Sequence, residues 1–204
     1  MELRDALDQI SEIRERMARG QVFRGYRSVT TGFTAILAVL TSAAQAAWVP
    51  RPERDVDDYL WLWCAAAVLS LLVVGVEMAV RAARSGSALH RQMTMLAVDQ
   101  FVPSLVAGAL VTYAIGKFAG EIVWVMPGLW AVLFSLGIFA SRRFLPRGVG
   151  FVGGYYLMAG LVCLAIGRND ATLRPWTMAI VFGAGQLLAA GVLWWTLERS
   201  HGRD

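Results

Sequence analysis

Lysine is nearly absent from this chain: Lys117 stands alone beside eighteen arginines. Charge as a whole is scarce, at 17% of the 204 residues, where a soluble domain carries about 25%. Cysteine and histidine number two each. Each shortage removes a class of function. Cys64 and Cys163 are too few for a disulfide framework or a zinc site. They read as two small apolar thiols; a single disulfide between them is the alternative. His90 and His201 both fall in a loop or the tail, so paired haem ligation across a membrane and a histidine-rich metal centre are excluded. No Gly-rich phosphate loop opens a helix of the right kind. The N-terminus reads as a charged helix rather than a short basic region followed by an apolar one, so no cleavable signal peptide is expected. No cofactor and no metal is implied.

What the chain has instead is apolar length. Hydrophobic residues make up 57%, gathered in runs of about 20, the length that crosses a bilayer. Six spans are expected, near 29–50, 58–80, 93–116, 121–141, 148–167 and 174–196. Arginine with abundant Ala, Gly and Val points to a GC-rich bacterial genome, and so to the bacterial inner membrane. The net charge of +4 does not indicate nucleic acid, because the arginines cap apolar runs, where they set orientation. The N-terminal arm, residues 81–91, residues 142–147 and the tail hold six, three, three and two basic residues, fourteen in all, against five on the other side. That split puts both termini in the cytoplasm. Tryptophans mark the interfaces: Trp48, Trp61, Trp63, Trp124, Trp130 and Trp176 at one side, Trp194 and Trp195 at the other.

The expected fold is therefore all-α, a polytopic six-transmembrane-helix bundle with an N-terminal cytoplasmic amphipathic helix. Residues 1–27 form that helix and an interfacial anchor, residues 28–197 the bundle, and residues 198–204 a cytoplasmic tail. Leu3, Ala6, Ile10, Ile13 and Met17 recur at alternating three- and four-residue spacing, one stripe on a helix. Leu3, Ile10, Ile13 and Met17 are candidate docking residues for a cytoplasmic protein or a second copy. The bland alternative is a helix lying on headgroups or on the bundle's end.

Small residues suggest where spans pack. Thr30, Thr34, Ala38, Ser42 and Ala46 form a four-residue stripe on the first span. Gly150 and Gly154 on the fifth, and Gly185 and Ala189 on the sixth, form similar pairs. Gln186 reads as an interhelical hydrogen-bond partner. Residues 110–117 (LVTYAIGK) echo residues 161–168 (LVCLAIGR), which suggests a duplicated hairpin.

Two acids sit inside apolar runs, Glu77 and Asp99. Such acids are functional suspects by default. Glu77 is four residues from Arg81, roughly 6 Å inside the cytoplasmic end of its span, and Asp99 is roughly 9 Å inside the next. Adjacent antiparallel helices would bring them to similar depth. Pro103 lacks the amide that would bond the Asp99 carbonyl, and Gln100 is adjacent. A kink there, with Asp99, Glu77, Gln100 and Pro103 lining a polar site, is the sharp expectation; buried beside a second acid, Asp99 would favour its protonated form. The plain alternatives are a Glu77–Arg81 pair within one helix, and Asp99 tied to Arg91, Arg142 or Arg199.

Three function classes follow. The first is a non-enzymatic regulatory or interaction subunit acting through its N-terminal helix, with the bilayer and a cytoplasmic protein or second copy as partners. The second is a small-solute or proton- or cation-coupled transporter, or its substrate-capturing subunit. In length, in six helices and in the small residues of the first, the chain resembles the membrane substrate-binding subunits of energy-coupling-factor vitamin transporters. That resemblance implies capture of a small molecule for an ATPase module. The third, an intramembrane enzyme, lacks any nucleophile and base: span 4 reads LFSLGIF and span 6 has no histidine, which excludes a rhomboid-type protease.

Overall fold

The computed structural model describes residues 28–84, 88–145, 148–167 and 171–198. The N-terminal stripe, Arg147, Arg168 and the tail from residue 199 lie outside them. The described residues form helices joined by short turns, with no strand. Helix α1 runs Ser28–Trp48, α2 Val56–Arg84 and α3 Ala88–Phe118. A 3-10 turn (Gly120–Val125) leads into α4 (Met126–Ser141), and α5 is Val149–Ile166. The last helix, α6, covers residues 175–198 and is π-helical over Ala179–Ala184 and Trp194–Glu198. Six helices are long and apolar enough to cross a membrane, each within a few residues of a span expected from hydropathy.

Local chemistry sets the ends. Pro50 and Pro52 follow α1, where a proline cannot continue the amide ladder. Asp57 and Asp58 occupy the first turn of α2, and Arg81 and Arg84 its last. Those signs complement the helix dipole. Pro127 and Pro175 open α4 and α6, at positions whose amide has no helical partner anyway. Gly167, with φ +73°, closes α5; an L side chain rarely takes that conformation. The helix α3 is continuous through Pro103, which lies inside it.

The helices form a ring in chain order, closed by α6 on α1. The α4–α5 crossing and the α6–α1 closure are the most extensive, and α3 packs closely on α4. At α4–α5 the cause is close approach. A Cβ on Gly128 would meet the carbonyl oxygen of Gly160 at 2.8 Å, and one on Gly160 would meet that of Gly128 at 2.7 Å. Backbone here rests on backbone, as small residues allow between membrane helices. The expected Gly150–Gly154 pair plays no such part. Gly154 faces open space, and Gly150 lies against the Arg142 guanidinium. Gly185 does pack as expected, against the ring of Tyr156.

The stripe expected on α1 drifts. Thr34, Ala38 and Ser42 are buried, but Ala46 is exposed and Thr30 only partly covered. Four residues turn a helix by about 400°, so a strict four-residue stripe winds off any one face. The buried face is instead Thr31, Thr34, Ala35, Ala38, Thr41, Ser42 and Gln45. The two halves of the echo also differ in role. Gly116 lies inside α3 against Leu60, whereas Gly167 terminates α5.

Candidate functional site

The two long helices α2 and α3 are the least covered. Of their apolar windows only 17% and 11% is buried, against 44% for α4. They also share the thinnest seam between neighbours in the ring. Past Trp63, α2 has no buried residue. Its core contribution is Tyr59, Leu60 and Trp63, all near the end remote from Arg81 and Arg84. Among the described side chains of α3, only Thr94, Ala97 and Ile115 are buried. Side-chain hydrogen bonds hold α3 to α4. Ser141 Oγ donates to the Ala97 carbonyl at 3.0 Å, and Trp130 Nε1 donates to Thr112 Oγ1 at 2.8 Å.

This sparsely covered pair carries both acids of the apolar runs, Glu77 and Asp99, and the structure separates their surroundings. Glu77 is half-buried, on the partly covered face of α2, and its Oε1 accepts from Arg81 Nε at 3.1 Å. The pair lies within one helix, as its four-residue spacing allows. Asp99 is exposed. At 3.6 residues per turn it sits nearly opposite the column Thr94, Ala97, Phe101, Ser104, Gly108 and Thr112 that faces the bundle. Gln100 and Pro103 are exposed as well. The expected burial of Asp99 is thus absent: it faces outward, not into a cavity shared with Glu77. Arg142 turns to Gly150, and among the described residues Asp99 has no ion pair.

A second polar feature was missed in the sequence. Gln45 of α1 is fully buried. Its Nε2 donates to the Leu173 carbonyl at 2.7 Å, and its Oε1 accepts from Trp63 Nε1 at 2.8 Å. One amide therefore joins α1, α2 and the segment leading into α6. Trp63 and Trp130, expected as interface markers, each donate to a neighbouring helix, Trp63 from a buried position, while Trp48 and Trp61 are exposed. Thr34 Oγ1 donates to Gln186 Oε1 at 3.2 Å, the interhelical bond expected of Gln186. Tyr155 donates to the Ile180 carbonyl at 2.6 Å, within the π-helical stretch. Tyr59 is buried and stacks on Trp130, with centroids 6.4 Å apart.

Chemistry within the bundle is otherwise sparse. Both cysteines are free thiols. Among the described residues no cluster of His, Cys, Asp and Glu has the arrangement of a metal site. An open cleft of about 430 Å³ lies at the end remote from Arg81, between the Arg54–Asp58 turn and Gly116 and Gly120. No known family model matches the sequence, and no solved structure matches the fold.

Proposed function

We propose that the protein is a non-enzymatic interaction subunit of a membrane assembly, with both termini in the cytoplasm of a bacterial cell. The observation that carries this reading is the α2–α3 pair. These are the two longest helices, and they are the least covered by their own bundle. In lipid a helix gains no hydrophobic drive to pack, so contacts form where small residues and hydrogen bonds favour them. Here the small-residue contacts lie mainly on α1, α4, α5 and α6, and the hydrogen bonds of α2 and α3 to α1 and α4 leave the outer sides of both helices uncovered. The α2–α3 face is left for another molecule. The N-terminal stripe of Leu3, Ile10, Ile13 and Met17 offers a second surface, toward the cytoplasm.

The transporter reading has less support. A coupling acid must face a path through the protein, and Asp99 is on the outer side of α3. The resemblance to vitamin-capturing subunits rests on layout alone. Photocrosslinking in native membranes tests the proposal, with a photoreactive residue placed at Leu72 of α2 or Val106 of α3, both exposed. Discrete protein adducts at these sites, absent from Phe151 on α5, support it. Lipid adducts alone at all three sites reject it.

A further inference from the structure

We infer that the outward face of α3 receives a membrane helix of a different protein, one carrying a basic residue that pairs with Asp99. The inference deepens the interaction-subunit reading and rests on it. Met95, Asp99, Val102, Val106, Ala109 and Tyr113 are all exposed. Their alternating four- and three-residue spacing places them in one line along α3. The line runs 18 residues, roughly 27 Å at 1.5 Å per residue, about the thickness of the hydrocarbon layer. The same spacing on α1, through Val29, Phe33, Ile36 and Leu40, is purely apolar, as a lipid-facing surface requires. What sets α3 apart is an acid in that line.

A carboxylate facing hydrocarbon is costly, and such residues pair with an opposite charge or turn inward. Among the described residues Asp99 does neither. Residue 103 being proline, the Asp99 carbonyl also receives no amide from the next turn. The site thus presents two kinds of acceptor, a carboxylate and a backbone carbonyl, and calls for a donor-rich cation. A guanidinium offers five N–H donors in a fixed fork, so arginine fits better than lysine. Its long stem lets it reach from about one turn above or below the depth of Asp99. A second copy of the chain, inserted the same way, would set Asp99 against Asp99 at equal depth, which opposes both charges.

The test uses the full chain in lipid vesicles, with a fluorescent protein fused after Asp204. The probe is a dye-labelled Leu/Ala transmembrane peptide of about 20 residues. It carries one Arg two turns from its end, or Ala or Asp at that place. Energy transfer should show the Arg peptide associating about tenfold more tightly than the Ala or Asp peptides. Asp99→Asn should remove the difference while leaving the melting temperature unchanged, and Asp99→Glu should retain it. Equal association of all three peptides overturns the inference. So does an Arg preference that survives Asp99→Asn. Stronger transfer between two differently labelled copies than to any peptide makes a second copy the occupant, and binding seen only after deletion of residues 1–27 makes it the chain's own N-terminal segment; either result also overturns it. If crosslinks at Leu72 and Val106 persist while the Arg preference fails, the interaction reading stands and the basic partner falls.

Discussion

Replacing Gly160 with alanine perturbs the crossing at which the backbone of α5 rests on the backbone of α4. The added Cβ would lie 2.7 Å from the Gly128 carbonyl oxygen and 3.0 Å from the Val132 backbone nitrogen. A side chain at that distance would rotate away, but backbone atoms cannot. A carbon–oxygen contact relaxes at about 3.3 Å, so α4 and α5 must part locally by roughly half an ångström. Overpacking of this kind costs about 1–3 kcal/mol. Against it stands the helix preference of Ala over Gly, about 1 kcal/mol in water. Gly154 supplies the control. It lies on the same helix, and a Cβ there meets nothing within 4 Å. Propensity enters both variants alike, so the difference between them isolates the crossing. Gly160→Ala should be less stable than Gly154→Ala by about 1–3 kcal/mol. Reversible unfolding in mixed micelles titrated with dodecyl sulfate, followed by circular dichroism, measures both. Stabilities agreeing within about 0.5 kcal/mol would show that backbone contact does not govern this interface.

Gln45→Ala removes a buried amide and strands the Trp63 indole N–H and the Leu173 carbonyl; a thermal melt should show a loss of about 1–3 kcal/mol, and an unchanged melt would mean that water replaces the amide. Reporter fusions at Gly202 and in the 51–57 loop should report cytoplasmic and external locations respectively, and an external C-terminal reporter contradicts the orientation drawn from arginine placement. Ile10→Asp combined with Ile13→Asp should abolish recovery of a cytoplasmic partner while preserving membrane expression; recovery equal to wild type removes docking through the stripe.

The spans were legible because membrane helices are limited by length and polarity, both local properties of the chain. Their limits, from Val29–Trp48 to Pro175–Thr196, match the hydropathy reading closely. Which face of each helix looks inward was much less legible. In a soluble helix the outward face is polar and declares itself. In lipid both faces are apolar, so Val106 and Val152 look alike in sequence, although the first is exposed and the second buried. Only residues with specific bonding needs gave a direction. Gln186 was read correctly on that basis, and Gln45, with the same need, was overlooked among alanines. Asp99 was expected inside because acids avoid hydrocarbon. That argument demands a partner for the charge but does not say that the partner belongs to the same chain. Gly128 and Gly160 form a pair only across two helices, which no spacing along one helix reveals.

The Gln45 junction has a consequence for how the protein is made. Its acceptor on Leu173 lies 128 residues further along the chain, and Gln186, the partner of Thr34, comes 152 residues after it. The bonding of α1 is therefore completed only by the segment that ends the bundle. Until α6 is synthesised, α1 carries an amide and a row of hydroxyls without these two bonds. Thr41 and Ser42 bridge part of that interval by bonding back to carbonyls of their own helix, Leu37 and Ala38; Gln45 has no such recourse to Leu173. Closure of the ring thus depends on the last sixth of the chain, and a chain ending after α5 would lack both of these bonds.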